Sequence, residues 1–301
     1  MPYNVIDCEG TVSKRPDSLD ILRVLSLGAG VESTTVALMA AHGCLTTGLD
    51  AAVFADTGAE MAHTYQTLEW LIPELEEHGV AVHLVTAGDW PTLTEENVGI
   101  WADTLEIARG DATRGDHQPF FTEGKGGRSY SMTTRKCTRH YKIRPVSRKV
   151  REIMQSTGYN QVERWQGVSS QEMDRINAPN TQYTAHRFPL VDQRMSRSDC
   201  RVWLDRHGYP EVKKSACKQC PFRKKMGFSA MRREYPDTFN EVAQWEQQIR
   251  DAGGLPGMNG MPYLISDLRP LSEIKPLGEN QKEMFESAID MGGCSAGSCG
   301  L

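Results

Sequence analysis

From residue 21 onward, apolar residues gather in short unbroken runs separated by longer segments of helical period. The run "ILRVLSL" (21–27) has the length and content of a buried strand, and "STTVALMAAH" (33–42) carries the three-to-four spacing of a helix. "AAVFAD" (51–56) predicts a second strand, "TYQTLEWLIPELEEHG" (64–79) a helix interrupted or kinked at Pro73, and "VAVHLVTA" (80–87) a third strand. This repeating βα pattern predicts an α/β fold, a Rossmann-like parallel twisted sheet with helices on both faces and a cysteine-bearing C-terminal region. Its crossovers should be right-handed, and ligands on such sheets gather at the carboxyl ends of the strands. Residues 88–135 lose periodicity and gain Gly, Thr, Arg and Asp, which predicts a long mobile loop that orders on substrate. A basic helix over about 140–156, a strand "VERWQGV" (162–168) and two helices within about 226–252 follow. The pattern divides the chain into an extension (1–20), a nucleotide-binding domain with its cysteines (21–225), a helical region (226–285) and a Cys/Gly tail (286–301).

Composition sharpens this only in part. A chain of 301 residues, 39% hydrophobic, can bury a full core, and it has no apolar run of membrane-spanning length. The charged amino terminus does not read as a secretory signal, so the expectation is a cytoplasmic protein with reduced or metal-bound thiols and no membrane partner. The net charge of −5 disfavours indiscriminate nucleic-acid binding. Two local patches oppose that average. Gly124–Arg151 contains many Lys and Arg and no Asp or Glu, and Lys213, Lys214, Lys218, Arg223, Lys224 and Lys225 form a second cluster. Such runs are usually solvated faces, but each of these surrounds a cysteine.

The stretch "LSLGAGVEST" (25–34) sets a strand against a glycine loop and a helix start. Gly28 and Gly30 allow a tight turn with amide hydrogens facing outward, and Ser33 opens a helix whose positive end favours an anion. The spacing also approximates a dinucleotide fingerprint, with Asp56 near the place of a ribose-binding acid. It lacks the Lys of a Walker loop. In "ACKQCPF", Cys217 and Cys220 stand two residues apart, the spacing that lets two thiolates reach one metal centre. Basic neighbours Arg135, Lys136, Lys218 and Arg223 favour the thiolate form.

Taken in order, these motifs resemble the phosphoadenosine phosphosulfate reductase-like branch of the adenine-nucleotide alpha-hydrolase, or PP-loop ATP pyrophosphatase, superfamily. Gly28-Ala29-Gly30-Val31-Glu32-Ser33 occupies the place of the family's S-G-G-x-D-S loop, and "FADTGAEMAHTY" resembles its strand and D-T-G turn through Asp56, Thr57 and Gly58. "KCTRHYKIRPV" resembles the family's cysteine and basic motif. "GVSSQEMDR" resembles its G-x-R-x-x-E-S-x-x-R segment through Gly167, Glu172 and Arg175, and "FPLVDQRMSRSDCRVWLDRHGYP" resembles its proline-leucine-isoleucine-aspartate strand and following helix. The resemblance covers roughly residues 20–225.

It implies nucleotide contacts from Ser26, Gly28, Gly30, Glu32, Ser33, Asp56, Thr57, Arg144 and Gly167, with Lys142 and Arg175 neutralising phosphate charge. It implies a four-iron four-sulfur cluster on Cys137, Cys217 and Cys220, Thr138 replacing the second cysteine of the family's tandem. The fourth position falls either to Cys200 or to an open iron. Zinc is the alternative metal. The implied activity is cleavage of ATP, with magnesium, to activate a nucleobase or small anionic acceptor, nucleic acid or nucleotide, for sulfur transfer from a sulfur donor. A reductase of adenylyl sulfate or its 3′-phosphorylated form is the second reading, with Cys299 in the tail as nucleophile and a thiol reductant protein restoring it. A zinc-stabilised nucleic-acid-binding or scaffold protein is the third. A homodimer is compatible with each.

Overall fold

The structure, a computed structural model, describes residues 21–94, 96–112, 117–124, 129–176 and 182–276 of the chain. The first half alternates β1 (Ile21–Leu27), α1 (Val31–Ala41), β2 (Ala51–Ala55), α2 (Ala62–Glu77) and β3 (Ala81–Val85). Next come α3 (Ile100–Arg109), the short strands β4 (Phe121–Glu123) and β5 (Tyr130–Met132), a π-turn Thr138–Ile143, and α4 (Arg144–Thr157). The series continues with β6 (Gln161–Gln166), β7 (Thr184–Arg187), α5 (Pro189–Asp192), α6 (Arg197–Arg206), α7 (Lys224–Glu234) and α8 (Pro236–Asp251).

Five strands form one sheet in the order β3-β2-β1-β6-β7, and every neighbouring pair is parallel. The fold is therefore α/β, a Rossmann-like parallel sheet flanked by helices. Alternation along the strands assigns the two faces. Leu22, Val24, Ala51 and Val53 pack with Val146 and Val150 of α4, while Leu25, Leu27, Ala52 and Phe54 pack with α1, α2 and α6. Both faces are covered, which is why the strands read as nearly continuous apolar runs. A third core, outside the sheet, joins Trp101, Phe120 and Tyr141 to Phe228, Phe239 and Trp245. Residues 226 onward thus share their core with the segment around α3, and the expected helical region is not packed separately from what precedes it.

Three sequence expectations are corrected. The segment 88–135 contains α3 and the β4–β5 pair, so among its described residues it is not a structureless loop. In "IWADTLEIAR" Ile100, Trp101, Thr104, Ile107 and Ala108 are the buried residues, a helical period, and Gly110 closes the helix at φ 83°. Pro73 does not interrupt α2, which continues through it. "PLVD" is a short helix, α5, and not a strand, because Pro189 occupies its first turn. No helix among the described residues is long and apolar enough to cross a membrane. The extension 1–20 and the tail 286–301 lie outside the described residues.

Candidate functional site

The chain leaves β1 for β2 and β3 on one side, then returns through α4 to β6 on the other side of β1. That reversal opens a crevice at the carboxyl ends of β1 and β6, the place where open parallel sheets bind ligands. A cleft lies there, and it has two walls.

The first wall is the glycine loop. The Gly28 and Gly30 amides donate to Ser33 Oγ at 3.2 and 3.4 Å, and that hydroxyl lies 3.3 Å from the Gly30 carbonyl oxygen. Ser33 therefore closes the loop onto the start of α1 and holds two outward amides on one oxygen. Gly167, just past β6, lies so close that a Cβ would stand 2.6 Å from the Ser33 nitrogen, so no side chain fits. Gly30 is similarly tight against Ser215, whose backbone nitrogen would stand 3.0 Å from an added Cβ. Ala29 sits at φ 52°, left-handed without being glycine. Glu32 accepts from Arg197 at 2.5 Å, and the same guanidinium reaches Glu172 at 3.3 Å. The acid at the loop's end is thus an internal ion pair across to α6.

The second wall is the cysteine side. Cys137 begins the π-turn, while Cys217 and Cys220 flank a turn closed by the Cys220 amide on the Cys217 carbonyl at 3.2 Å. The D-T-G turn anchors this segment: Glu60 bridges to Cys217, the Lys218 amide donates to the Ala59 carbonyl at 2.8 Å, and Thr57 Oγ1 lies 3.4 Å from Cys217 Sγ. All three cysteines line the same cleft as Ser26, Gly28 and Ser33. Burial pushes the Cys217 thiol well up, with Glu60 adding to it, and burial together with Cys220 raises Cys137. Lys142 donates to Glu60 Oε1 at 3.0 Å. Burial alone would lower its pKa, but the Glu60 carboxylate and the neighbouring thiols hold it above the ordinary lysine value. The half-buried Arg223 guanidinium faces Cys220 and Cys217.

Eleven sequence-predicted positions meet here: Ser26, Gly28, Gly30, Glu32, Ser33, Thr57, Cys137, Lys142, Gly167, Cys217 and Cys220. Others do not. Asp56 is fully buried and accepts from the Gly58 amide at 2.8 Å, the Leu93 amide at 2.9 Å and the Tyr65 hydroxyl at 3.1 Å, so it holds the D-T-G turn from behind. Arg144 is exposed, beside His140 at 3.5 Å, and does not line the cleft. Cys200 packs with Trp203 and Leu204 in the core beneath α1, where burial raises its pKa to about 12, and it does not join the other three cysteines as a fourth ligand. Cys44 is disulfide-bonded, against the expectation of reduced thiols. Arg175 ends a 3-10 turn, its side chain outside the described residues, and Cys299 lies outside them altogether. In the second basic cluster, Lys213 donates to Tyr235, Lys218 to Asn97 and Glu241, and Lys225 to Asp267, so much of its charge is already engaged.

Sequence reasoning missed two cleft groups, Arg197 and Arg164, and the buried carboxylate behind the cysteine wall, Glu60. Arg197 appeared only inside a longer resemblance. Arg164, on β6, projects into the cleft and donates to Ser26 Oγ at 3.3 Å, and its period-two place on the strand was the available signal. Glu60, 1% exposed at its side chain, lies three residues beyond Thr57 in the D-T-G segment and gave no signal of its own. The donor set fits a thiolate-bound metal group: three thiols share one wall, with Lys142 and Arg223 placed to offset the negative charge that deprotonation creates. The loop wall fits an anion, having two amides on one displaceable hydroxyl, and the buried Thr138 hydroxyl, which lines the same cleft, has no protein partner among the described residues and can donate to one. The chain matches no protein-family model and no curated protein.

Proposed function

We propose that the cleft binds an adenine nucleotide at the glycine loop and uses it to activate an acceptor for sulfur transfer, as a PP-loop enzyme related to the phosphoadenosine phosphosulfate reductases. The observation that carries this reading is the meeting of the loop Gly28–Ser33 and of Cys137, Cys217 and Cys220 in one cleft at the sheet's switch point. In this reading the Gly28 and Gly30 amides exchange Ser33 Oγ for phosphate oxygens at the start of α1. Arg164 and Lys142 supply positive charge where it builds on the phosphates. An acceptor oxygen attacks the α-phosphorus of ATP, the α–β bond breaks, and pyrophosphate leaves. Sulfur then displaces AMP from the activated acceptor.

Cys137, Cys217 and Cys220 would hold a four-iron four-sulfur cluster. When bound, such a cluster supplies an iron without a protein ligand, suited to carrying the sulfur to be delivered. Zinc on the same three thiols is the alternative that metal analysis separates from the cluster. The remaining protein groups on this wall orient the thiols: Thr57 and Glu60 from the D-T-G turn, Arg223 and Lys142 by charge.

Anaerobic purification with iron and sulfide analysis, followed by pyrophosphate release from ATP, tests the reading. Iron and sulfide in near-equal amounts are expected, with at least tenfold less of both in Cys217→Ser. Pyrophosphate release that needs an added acceptor and falls in Ser33→Ala is also expected. Zinc without iron overturns the cluster assignment, and sulfite formed from adenylyl sulfate, dependent on Cys299, overturns sulfur transfer in favour of reduction.

A further inference from the structure

Three helices of this chain end in the same dipeptide, at His42-Gly43, His78-Gly79 and His207-Gly208. In each the histidine is the last residue of the helix cap and the glycine turns the chain at positive φ, 71°, 78° and 75°. Helices α1 and α2 begin near the carboxyl ends of β1 and β2 and run back, so their last turns lie at the opposite end of the sheet from the cleft. The eleven residues of α1 alone make that separation about 16 Å.

Two of these histidines share one carboxylate. His42 Nε2 lies 3.3 Å from Glu74 Oε1, and His78 Nδ1 lies 3.9 Å from the same oxygen. One ligand atom from each of His42, Glu74 and His78 falls within 4.8 Å of the others. The first distance equals the edge of a tetrahedron with zinc–nitrogen and zinc–oxygen bonds, about 3.3 Å. We propose that His42, Glu74 and His78 form a binding site for a first-row divalent cation of the zinc class, with Tyr209 as the residue that positions the carboxylate.

The surroundings are built as supports of a metal site are. Tyr209 donates to Glu74 Oε1 at 3.0 Å and also contacts His42 Nε2. Its ring is stacked against Trp70 on one side and Trp203 on another, at 5.7 and 6.2 Å between centroids, so the hydroxyl is fixed by packing. His78 Nδ1 also stands 2.9 Å from the Glu74 carbonyl oxygen, a contact that holds the ring at the end of α2 beside the Glu74 carboxylate. Charge agrees. The carboxyl ends of two helix dipoles converge here, and neither α1 nor α2 has Lys or Arg in its last turn to occupy that field. A cation bound between His42 and the pair on α2 would tie the end of α1 to the end of α2, which is a stapling role distinct from the chemistry of the cleft.

Cobalt(II) titration of the full chain, read by visible and near-ultraviolet absorbance, separates this site from the cysteines. Nitrogen and oxygen ligands give ligand-field bands alone, whereas thiolates add sulfur-to-cobalt charge transfer. The wild-type chain should bind one more equivalent than the His42→Ala/His78→Ala variant, with the charge-transfer intensity equal in both. Zinc should displace that equivalent and raise Tm in wild type only. Two milder variants guard against misfolding of the double one: Glu74→Gln should weaken cobalt at least tenfold, and Tyr209→Phe ten- to a hundredfold. Equal stoichiometry in wild type and double variant overturns the proposal, as does wild-type affinity in both Glu74→Gln and Tyr209→Phe. The outcome is independent of whether the cleft binds nucleotide or cluster.

Discussion

The two walls of the cleft are built on different physics. On the loop wall the determining quantity is distance between backbones: Gly167 against the first turn of α1, and Gly30 against Ser215. Its one acid, Glu32, is neutralised by Arg197. On the cysteine wall the determining quantity is charge. Three half-buried thiols, the buried Glu60 carboxylate, the Lys142 ammonium and the Arg223 guanidinium act on one another there. Steric walls tolerate changes of charge and fail on a single methyl group, while electrostatic walls behave the opposite way. The cleft therefore joins one wall set by backbone contact to one set by charge.

Substitutions can break this contrast. The largest effect is expected for Lys142→Met, which leaves Glu60 as an uncompensated buried carboxylate; about 3–5 kcal/mol of stability should be lost in denaturant unfolding. Lys142→Met with Glu60→Gln should recover most of that loss, which a purely steric wall would not allow.

Next in size is a pH effect behind the cysteine wall. Glu246 accepts from the Leu264 and Leu271 amides at 2.8 and 2.6 Å, and burial raises its pKa to about 7. A carboxyl raised in the folded state binds its proton more tightly there than in the unfolded chain, whose value is about 4.3. Its contribution is therefore fully present below about pH 4.3 and is lost as pH rises through about 7, by up to roughly 3 kcal/mol. Unfolding measured across that window should show the decline in wild type, and Glu246→Gln should flatten it.

Gly167→Ala should cost about 1–3 kcal/mol through overpacking against Ser33 and abolish measurable nucleotide binding by calorimetry, with metal content unchanged. The smallest effect sharpens the contrast among the cysteines. Cys200→Ser places a hydroxyl in the apolar core beneath α1 and should lower stability by about 1–2 kcal/mol without altering iron content, because Cys200 does not face the cleft.

Periodicity and local chemistry made the sheet legible. Strands β1, β2 and β3 fell within a residue or two of their predicted spans; β1 and β2 are largely buried, and such strands concentrate apolar residues regardless of what covers them. The glycine loop was legible for a related reason: a tight turn between a buried strand and a helix leaves few residue types able to fill it. Helix α3 was not. Its flanks carry Gly, Thr and Asp, and its apolar face has meaning only against Trp245 and Phe120, which lie far along the chain or across a loop.

What the sequence determined by itself was the α/β fold, the glycine loop between β1 and α1, and the Cys217–Cys220 pair two residues apart. Those properties are local, carried by periods of two and 3.6 and by spacings of a few residues. Only the tertiary structure decided which groups share a space. It brought Cys137 to Cys217 and Cys220 while leaving Cys200 in the core, turned Asp56 inward to a backbone turn, and set Arg197 on Glu32 and Lys142 on Glu60. It also placed the ends of α1 and α2 around Glu74. Burial and charge pairing depend on residues remote along the chain, and no local pattern encodes them.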